Sequence, residues 1–334
     1  STHCISSAAS DVYKRQVLIK NFCHGAFFHN LSYLFLNRKN TPLEKLLWRI
    51  VSDGSERFDT HFDLAVSYIE GGSAYYVHDH VSAAKKAAFI HVDYVQAGYT
   101  RRLDKDCYVD FDRIFAVSDE TAGVLAGVYP ECQQKLSVFH NLIDTETIRQ
   151  KALLPAEKSM HEGIRLLTVG RLTPQKGFDC AVYALKLLLE KQYPVYWYII
   201  GEGPEYGRLT QLARSLHVED HFIFLGMQTN PYPYFKIADF YIHATRFEGK
   251  SIAIQEAQVL GCAIAASDCS GNREQIVSGV DGLLCPFSPE GIANAVEYLI
   301  EHPQTAESFG RAAAQKACHF ENDIHMIRDL LYSP

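Results

Sequence analysis

The sequence predicts an α/β protein made of two Rossmann-like, doubly wound domains facing a cleft. Three observations lead there. Short apolar runs alternate with amphipathic stretches of helical length along most of the chain. The alternation is interrupted once, at the polar, proline-containing stretch 151–163, which reads as a linker. Glycine and charged residues gather directly after several of the apolar runs. Alternating strand and helix signals imply parallel sheets covered on both faces, and ligands of such sheets sit beyond the carboxyl ends of the strands.

Taken in order, residues 1–16 (STHCISSAASDVYKRQ) are small, polar and without period, and the chain begins with Ser. They are expected to be non-native and disordered, with a true N-terminus lost. Next, TPLEKLLWRIVSDG places Leu43, Leu46, Leu47, Ile50 and Val51 at helical spacing, with Thr41 as N-cap, Pro42 in the first turn and Gly54 past the end. Lys45 and Arg49 would let this helix touch a membrane surface; a core-facing helix is the simpler reading. FDLAVSYIE, KKAAFIHV and DRIFAVS read as strands, a helix starts near Asp119, and KLSVFHNLI closes a first domain spanning 17–150. A second domain spans 164–320. Its strands are IRLLTVG, VYWYIIG, HFIFLG, ADFYIHAT, CAIAAS and GLLC, and FDCAVYALKLLLEKQ, YGRLTQLARSLH and SIAIQEAQVLG are its helices. Residues 321–334 are expected to form a C-terminal helix.

Composition sets limits on function. The chain has 334 residues, 47% hydrophobic, enough for two packed domains. A net charge of -7 argues against bulk nucleic-acid binding, and the runs Arg38-Lys39, Lys85-Lys86 and Arg101-Arg102 are most simply solvated surface. The 9 cysteines lack a CxxC pair, which suits a reducing compartment and gives no metal cluster. No run nears the ~18 apolar residues of a membrane span, and no signal-peptide core is visible, so a cytoplasmic location is expected.

The chemistry concentrates in four loops of the second domain. Glu248-Gly249-Lys250-Ser251-Ile252 leads from a strand into a helix that carries Glu256 two turns on. Unpaired amides at a helix start suit a phosphate or a hydroxylated ligand, and Glu256 could accept hydrogen bonds from a ribose diol. Two solvated glutamates on an ordinary loop remain the alternative. VGRLTPQKGFD sets Gly170-Arg171 at a strand end and Lys176-Gly177 before a helix, two cations that fit a diphosphate unless they are mere surface. Gly201-Glu202-Gly203-Pro204 is a weaker signal, because tight strand exits use glycine anyway. Ser267-Asp268-Cys269-Ser270-Gly271-Asn272-Arg273-Glu274 again ends a strand with glycine and a carboxylate.

On GRLTPQKGFD, IGEGP, FLG, Glu248–Glu256 and SGNREQIVSGVDGLL, the stretch from 164 to about 300 resembles the family 4 (GT4) retaining glycosyltransferases of the GT-B fold. The resemblance implies that Arg171 and Lys176 bind the donor diphosphate, that Glu248 lies by the donor sugar and that Glu256 holds the ribose. Gly170, Gly201, Gly203, Gly249, Lys250, Ser251 and Ile252 complete the implied donor site. EGKS departs from the commoner EGFG form, so the sugar pocket is expected to be organised differently around Lys250; this variant looks like bacterial capsule and exopolysaccharide transferases. From about residue 61 the first half is similar to the same family. His91 matches its acceptor-side histidine, with Asp93 beside it, while Asn141 and Asp144 match a hinge turn. The glycine-rich loop that opens such proteins is missing, so the first domain is expected to be incomplete.

The function implied is retaining transfer of a sugar from a nucleoside diphosphate, UDP at family level, to a hydroxyl of a glycan or lipid-linked glycan. Glu248, His91, Arg171 and Lys176 form the implied catalytic set, with no cofactor and no metal, in bacterial polysaccharide synthesis at the inner membrane face. Asp104-x-Asp106 and Asp110-x-Asp112 have DxD spacing but lie in the other half. Rival readings are a sugar-nucleotide 2-epimerase, a nicotinamide dehydrogenase (weakened by the lack of GxGxxG) and a non-catalytic sugar-nucleotide binder.

Overall fold

The computed structural model describes residues 52, 55, 57–317 and 323–332. The segment 1–16, and all but Ser52 of the helix expected over 41–54, lie outside these. The described chain forms two compact units: one runs to His140 and resumes at Asp323, the other begins at Asn141.

In the first unit, β1 (His61–Ser67), α1 (Gly72–His80), β2 (Ser82–Ile90), the short α2 (Arg101–Asp104), β3 (Arg113–Ala116), α3 (Asp119–Val128) and β4 (Leu136–Val138) follow one another. The strands pair in parallel in the order β1-β2-β3-β4. α3 begins where expected because the Ser118 side chain accepts from the Thr121 N–H, a 3.1 Å N-cap. Strand residues alternate between the two faces. Ala65, Ala88, Ile90 and Ile114 pack on one side with Tyr75, Leu125 and Tyr129.

The second unit opens with α4 (Thr145–Lys151), capped by Asp144. There follow β5 (Ile164–Val169), α5 (Phe178–Glu190), β6 (Val195–Ile200), α6 (Tyr206–Ser215), β7 (Phe222–Gly226), α7 (Tyr232–Ile237), β8 (Phe240–His243), α8 (Ile252–Val259), β9 (Ala263–Ser267), α9 (Ser270–Gln275), β10 (Leu283–Cys285), α10 (Pro289–Glu301) and α11 (Pro303–Ala317). The sheet is parallel throughout, in the order β10-β9-β8-β5-β6-β7. Neighbouring residues serve opposite cores: Leu166, Trp197 and Ile199 pack with α5 and α10, whereas Leu167, Tyr198, Tyr241 and Ile264 pack with Ile254 and Ala257 of α8. The order reverses between β5 and β8, so the loops leaving these two strands open a crevice at the carboxyl edge.

The units divide at 140/141, ten residues before the stretch expected to be a linker. That stretch lies along the second unit: the Lys158 N–H donates to the Tyr234 hydroxyl (2.9 Å), the His161 N–H to the Tyr198 hydroxyl (2.6 Å), and Ala156 and Met160 pack on the core. Its few apolar residues hold it down where its polarity suggested a free connection. The C-terminal helix, α12 (Ile324–Tyr332), belongs to the first unit, where Met326, Ile327 and Leu330 cover Ala87, Phe89, Phe115 and Phe139 on the second face of the sheet. Among the described residues no helix is long and apolar enough to cross a membrane.

Candidate functional site

The crevice of the second unit begins with two strand exits pressed together. The Gly170 N–H donates to the Ile200 carbonyl and the Leu172 N–H to the Glu202 carbonyl, both at 2.9 Å. Gly201 has φ 142°, and a Cβ there would lie 2.0 Å from the Gly170 carbonyl oxygen; one at Gly203 would lie 2.3 Å from that of Leu172. Both glycines are therefore required by loop packing, whatever else the loop does.

A single 3₁₀ turn (Pro174–Lys176) then carries Lys176 back over Gly170. Its Nζ pairs with Glu248 Oε2, and the same oxygen lies 3.4 Å from His243 Nε2. His243 ends β8 and is 2% exposed. Burial pushes its pKa below the ordinary value, which keeps the imidazole neutral. Its partners assign the tautomer: Nε2–H faces the carboxylate, and Nδ1 accepts from the Tyr241 hydroxyl at 3.2 Å. Burial also raises the Glu248 carboxyl, but the His243 hydrogen bond and the Lys176 charge outweigh it and bring the pKa down to about 2. Glu248 is thus a buried carboxylate, ionised at neutral pH, with two donors.

The loop that holds Glu248 is fixed by three side-chain amides from three places. Gln175 Nε2 donates to the Phe247 carbonyl (2.9 Å), Asn141 Nδ2 to that of Lys250 (3.3 Å), and Gln275 takes both backbone groups of Ser251, accepting its N–H at 2.7 Å and donating to its carbonyl at 2.9 Å. Behind the loop, a Cβ on Gly271 would lie 2.0 Å from the Gly249 carbonyl oxygen, so only glycine lets α9 approach. The Ser251 N–H, expected to face a ligand, is consumed by Gln275. The N–H groups of Ile252 and Ala253 in the first turn of α8 have no hydrogen-bond partner among the described residues.

Glu256 sits further along α8. It accepts from the Tyr232 hydroxyl at 3.0 Å, and burial raises its pKa. Glu248 meets His243, which faces the same way along β8 as Tyr241, and Tyr241 packs against Ile254 and Ala257 of the helix that carries Glu256. Arg171 is exposed and, among the described residues, has no ion-pair partner. Arg246, by contrast, is a neighbouring cation fully engaged with Asp179 (2.8 and 3.0 Å) and stacked on Phe287.

The remaining expected residues lie in the first unit. His91 follows β2; its N–H donates to Glu70 Oε2 at 2.9 Å, and its ring stacks near Tyr68 and Phe89. Asp93 is spent locally, accepting from the N–H groups of Val95 and Gln96 and from the Gln96 side chain. Asp104 is fully buried beneath the hydroxyls of Tyr75, Tyr94 and Tyr129, and Asp110 pairs with His78. Among the described residues no group of three or more His, Cys, Asp or Glu could hold a metal ion.

Residues 149–316 match the family model for glycosyl transferases group 1. The chain belongs to this family. Over 200 residues it is 30% identical to the N-acetylgalactosamine-N,N'-diacetylbacillosaminyl-diphospho-undecaprenol 4-alpha-N-acetylgalactosaminyltransferase of Campylobacter jejuni, covering 59% of this chain and 53% of that one. Over 175 residues it is 28% identical to an amylovoran biosynthesis glycosyltransferase of Erwinia amylovora, covering 50% and 41%. The chain spans about half the length of the curated relatives it matches. Anabaena HepE, solved in complex with UDP-glucose, superposes with a TM-score of 0.67 at 17% identity over 90% of this chain and 87% of that one. The fold is that of the GT-B glycosyltransferases. In this glycosyltransferase-family chain the matched segment contains Arg171, Lys176, His243, Glu248, Glu256 and Gln275.

Proposed function

We propose that the chain is a retaining glycosyltransferase that moves a sugar from a nucleoside diphosphate, UDP in the first instance, to a hydroxyl of a glycan or lipid-linked glycan. The observation that carries this reading is the meeting of Lys176, His243 and Glu248 in the crevice, on the edge that also carries the exposed Arg171 and the unpartnered amides of α8. This is a cationic and amide-lined rim beside one ionised carboxylate, suited to a diphosphate and a sugar respectively.

In the proposed reaction the bond from the anomeric carbon to the diphosphate breaks, and the acceptor oxygen bonds to that carbon on the same face. The acceptor proton passes to a phosphate oxygen. Charge on the departing diphosphate dominates the barrier. A cation at about 4 Å, with an effective dielectric near 20, supplies roughly 4 kcal/mol of gross attraction before desolvation, the scale on which Arg171 and Lys176 would each contribute. Glu256, just over one turn into α8, is assigned to the ribose, and His91 to the acceptor side, whereas the carboxylate of Asp93 is already taken by Val95 and Gln96. The Campylobacter relative, named for a diphospho-undecaprenol substrate, and the Erwinia relative in amylovoran biosynthesis support a lipid-linked glycan acceptor in cell-surface polysaccharide synthesis, at the inner membrane face. The test is turnover with a panel of nucleotide sugars and lipid-linked acceptors, reading diphosphate release and product anomer. Release of a free epimer without acceptor, or an inverted product, would overturn the proposal.

A further inference from the structure

We propose that His243 is a positioning residue that keeps Glu248 satisfied when Lys176 turns away to a donor diphosphate; this rests on the donor-site reading above. The two donors to Glu248 Oε2 differ in mobility. His243 is 2% exposed, its ring stacks on Tyr241 with centroids 6.1 Å apart, and Nδ1 is tied to the Tyr241 hydroxyl. It is a fixed donor. Lys176 reaches Glu248 along an unbranched chain that crosses open backbone at Gly170, where even a Cβ would stay 3.8 Å away. It is a movable donor, on the loop that also presents Arg171.

A diphosphate at this rim competes with Glu248 for the Lys176 ammonium. If Lys176 were the only partner, its departure would strand a buried carboxylate, and the penalty would be charged against donor affinity. The Nε2–H of His243 removes most of that cost, and because burial keeps the imidazole neutral it adds no second positive charge for Lys176 to avoid. The titratable groups facing Glu248 are Lys176 from the turn after β5, His243 and Tyr241 from β8, and Cys269 from the loop after β9, with Glu256 beyond Tyr241. Among these, only Lys176 and His243 stabilise its ionised form.

The test is calorimetric binding to the full chain and to His243→Phe. Wild type is titrated first with UDP, GDP, ADP and dTDP, then with the nucleoside of whichever binds. In His243→Phe the diphosphate should bind about tenfold or more weakly, the scale of a lost hydrogen bond to a charged group, with the nucleoside within about twofold of wild type. The deficit should shrink as the pH is lowered, because the stranded carboxylate then binds a proton. His243→Gln, which restores an N–H donor, should recover most of the loss. Equal weakening of diphosphate and nucleoside, unchanged affinity, or a loss independent of pH would each overturn the proposal. Should His243→Phe fail to fold, the Nε2–H resonance of wild-type His243 serves instead: it should move downfield on saturation with the diphosphate, and no movement overturns the idea. A wild type that binds none of the four diphosphates removes the donor-site reading itself, an outcome distinct from a variant that binds like wild type.

Discussion

Gln275→Met isolates what holds the Glu248 loop. Gln275 is buried, its own carbonyl is anchored by Gln258 Nε2 (2.8 Å) and Lys316 Nζ (2.7 Å), and among the described residues its side chain bonds to Ser251 alone. Methionine has nearly the same length, so little cavity forms. The change deletes two hydrogen bonds and leaves the buried Ser251 N–H without an acceptor, while the Ser251 carbonyl keeps a 3.3 Å bond from the Gln255 N–H. At about 1 kcal/mol for the bond to the Ser251 carbonyl and roughly 1–3 kcal/mol for the orphaned N–H, the expected loss is about 2–4 kcal/mol. Hydrogen exchange read by mass spectrometry suits the measurement, since a chain of two units need not unfold in one step. Peptides of β5, β6 and β8 should lose protection by that amount, and the peptide across Glu248–Glu256 should exchange fastest. Protection within about 0.5 kcal/mol of wild type, too small for even one such bond, would refute the clamp.

Four further outcomes are expected. Gly271→Ala forces a Cβ against the Gly249 and Glu248 carbonyls, so it should displace the loop and abolish donor binding, seen as a flat titration with the wild-type ligand. Arg171→Ala and Lys176→Ala should each slow turnover about 100-fold or more, the usual effect of removing one group that stabilises transition-state charge; unchanged rates would count against the proposed function. Turnover should survive dialysis against a chelator, and a loss restored by a divalent cation would contradict the metal-free scheme. Because the Glu248 pKa is depressed from 4.5 to about 2, its ionisation supports the native state fully above pH 4.5 and less as the pH falls towards 2. Acid denaturation of Glu248→Gln should therefore be less steep across that window than that of wild type.

The sheets were readable because parallel strands buried on both faces are written as unbroken apolar runs, and every strand of the second unit falls on one of them. Lys176 and Glu248 stood out as candidates because glycine and charge follow strand ends, and Glu256 because it lies eight positions after Glu248; their roles at a donor belong to the proposed function. His243, Gln275 and the role of Asn141 were not. Each is a single polar residue whose partner lies across a fold contact: Gln275 meets Ser251 24 positions away, and Asn141 meets Lys250 109 positions away. Local periodicity carries no information at that range. For His243 there was a usable signal, a lone histidine closing an apolar strand five residues before a carboxylate. α1 escaped because GSAYYVHDH has little amphipathic contrast. The boundary was misplaced since polarity alone cannot distinguish a free connection from a strap whose hydrogen bonds end on core tyrosines.

The closure of the first sheet by α12 has a consequence for biogenesis. Residues on both sides of the second unit build one hydrophobic layer, Phe89 and Phe115 from the early chain and Leu330 from its last described helix. During synthesis that aromatic face is translated long before its cover emerges, and it must wait uncapped while all of the second unit is made. The unit translated ahead of the second one is thus completed only after it, and ribosome-stalled chains ending before Ile324 should recruit chaperones through this face.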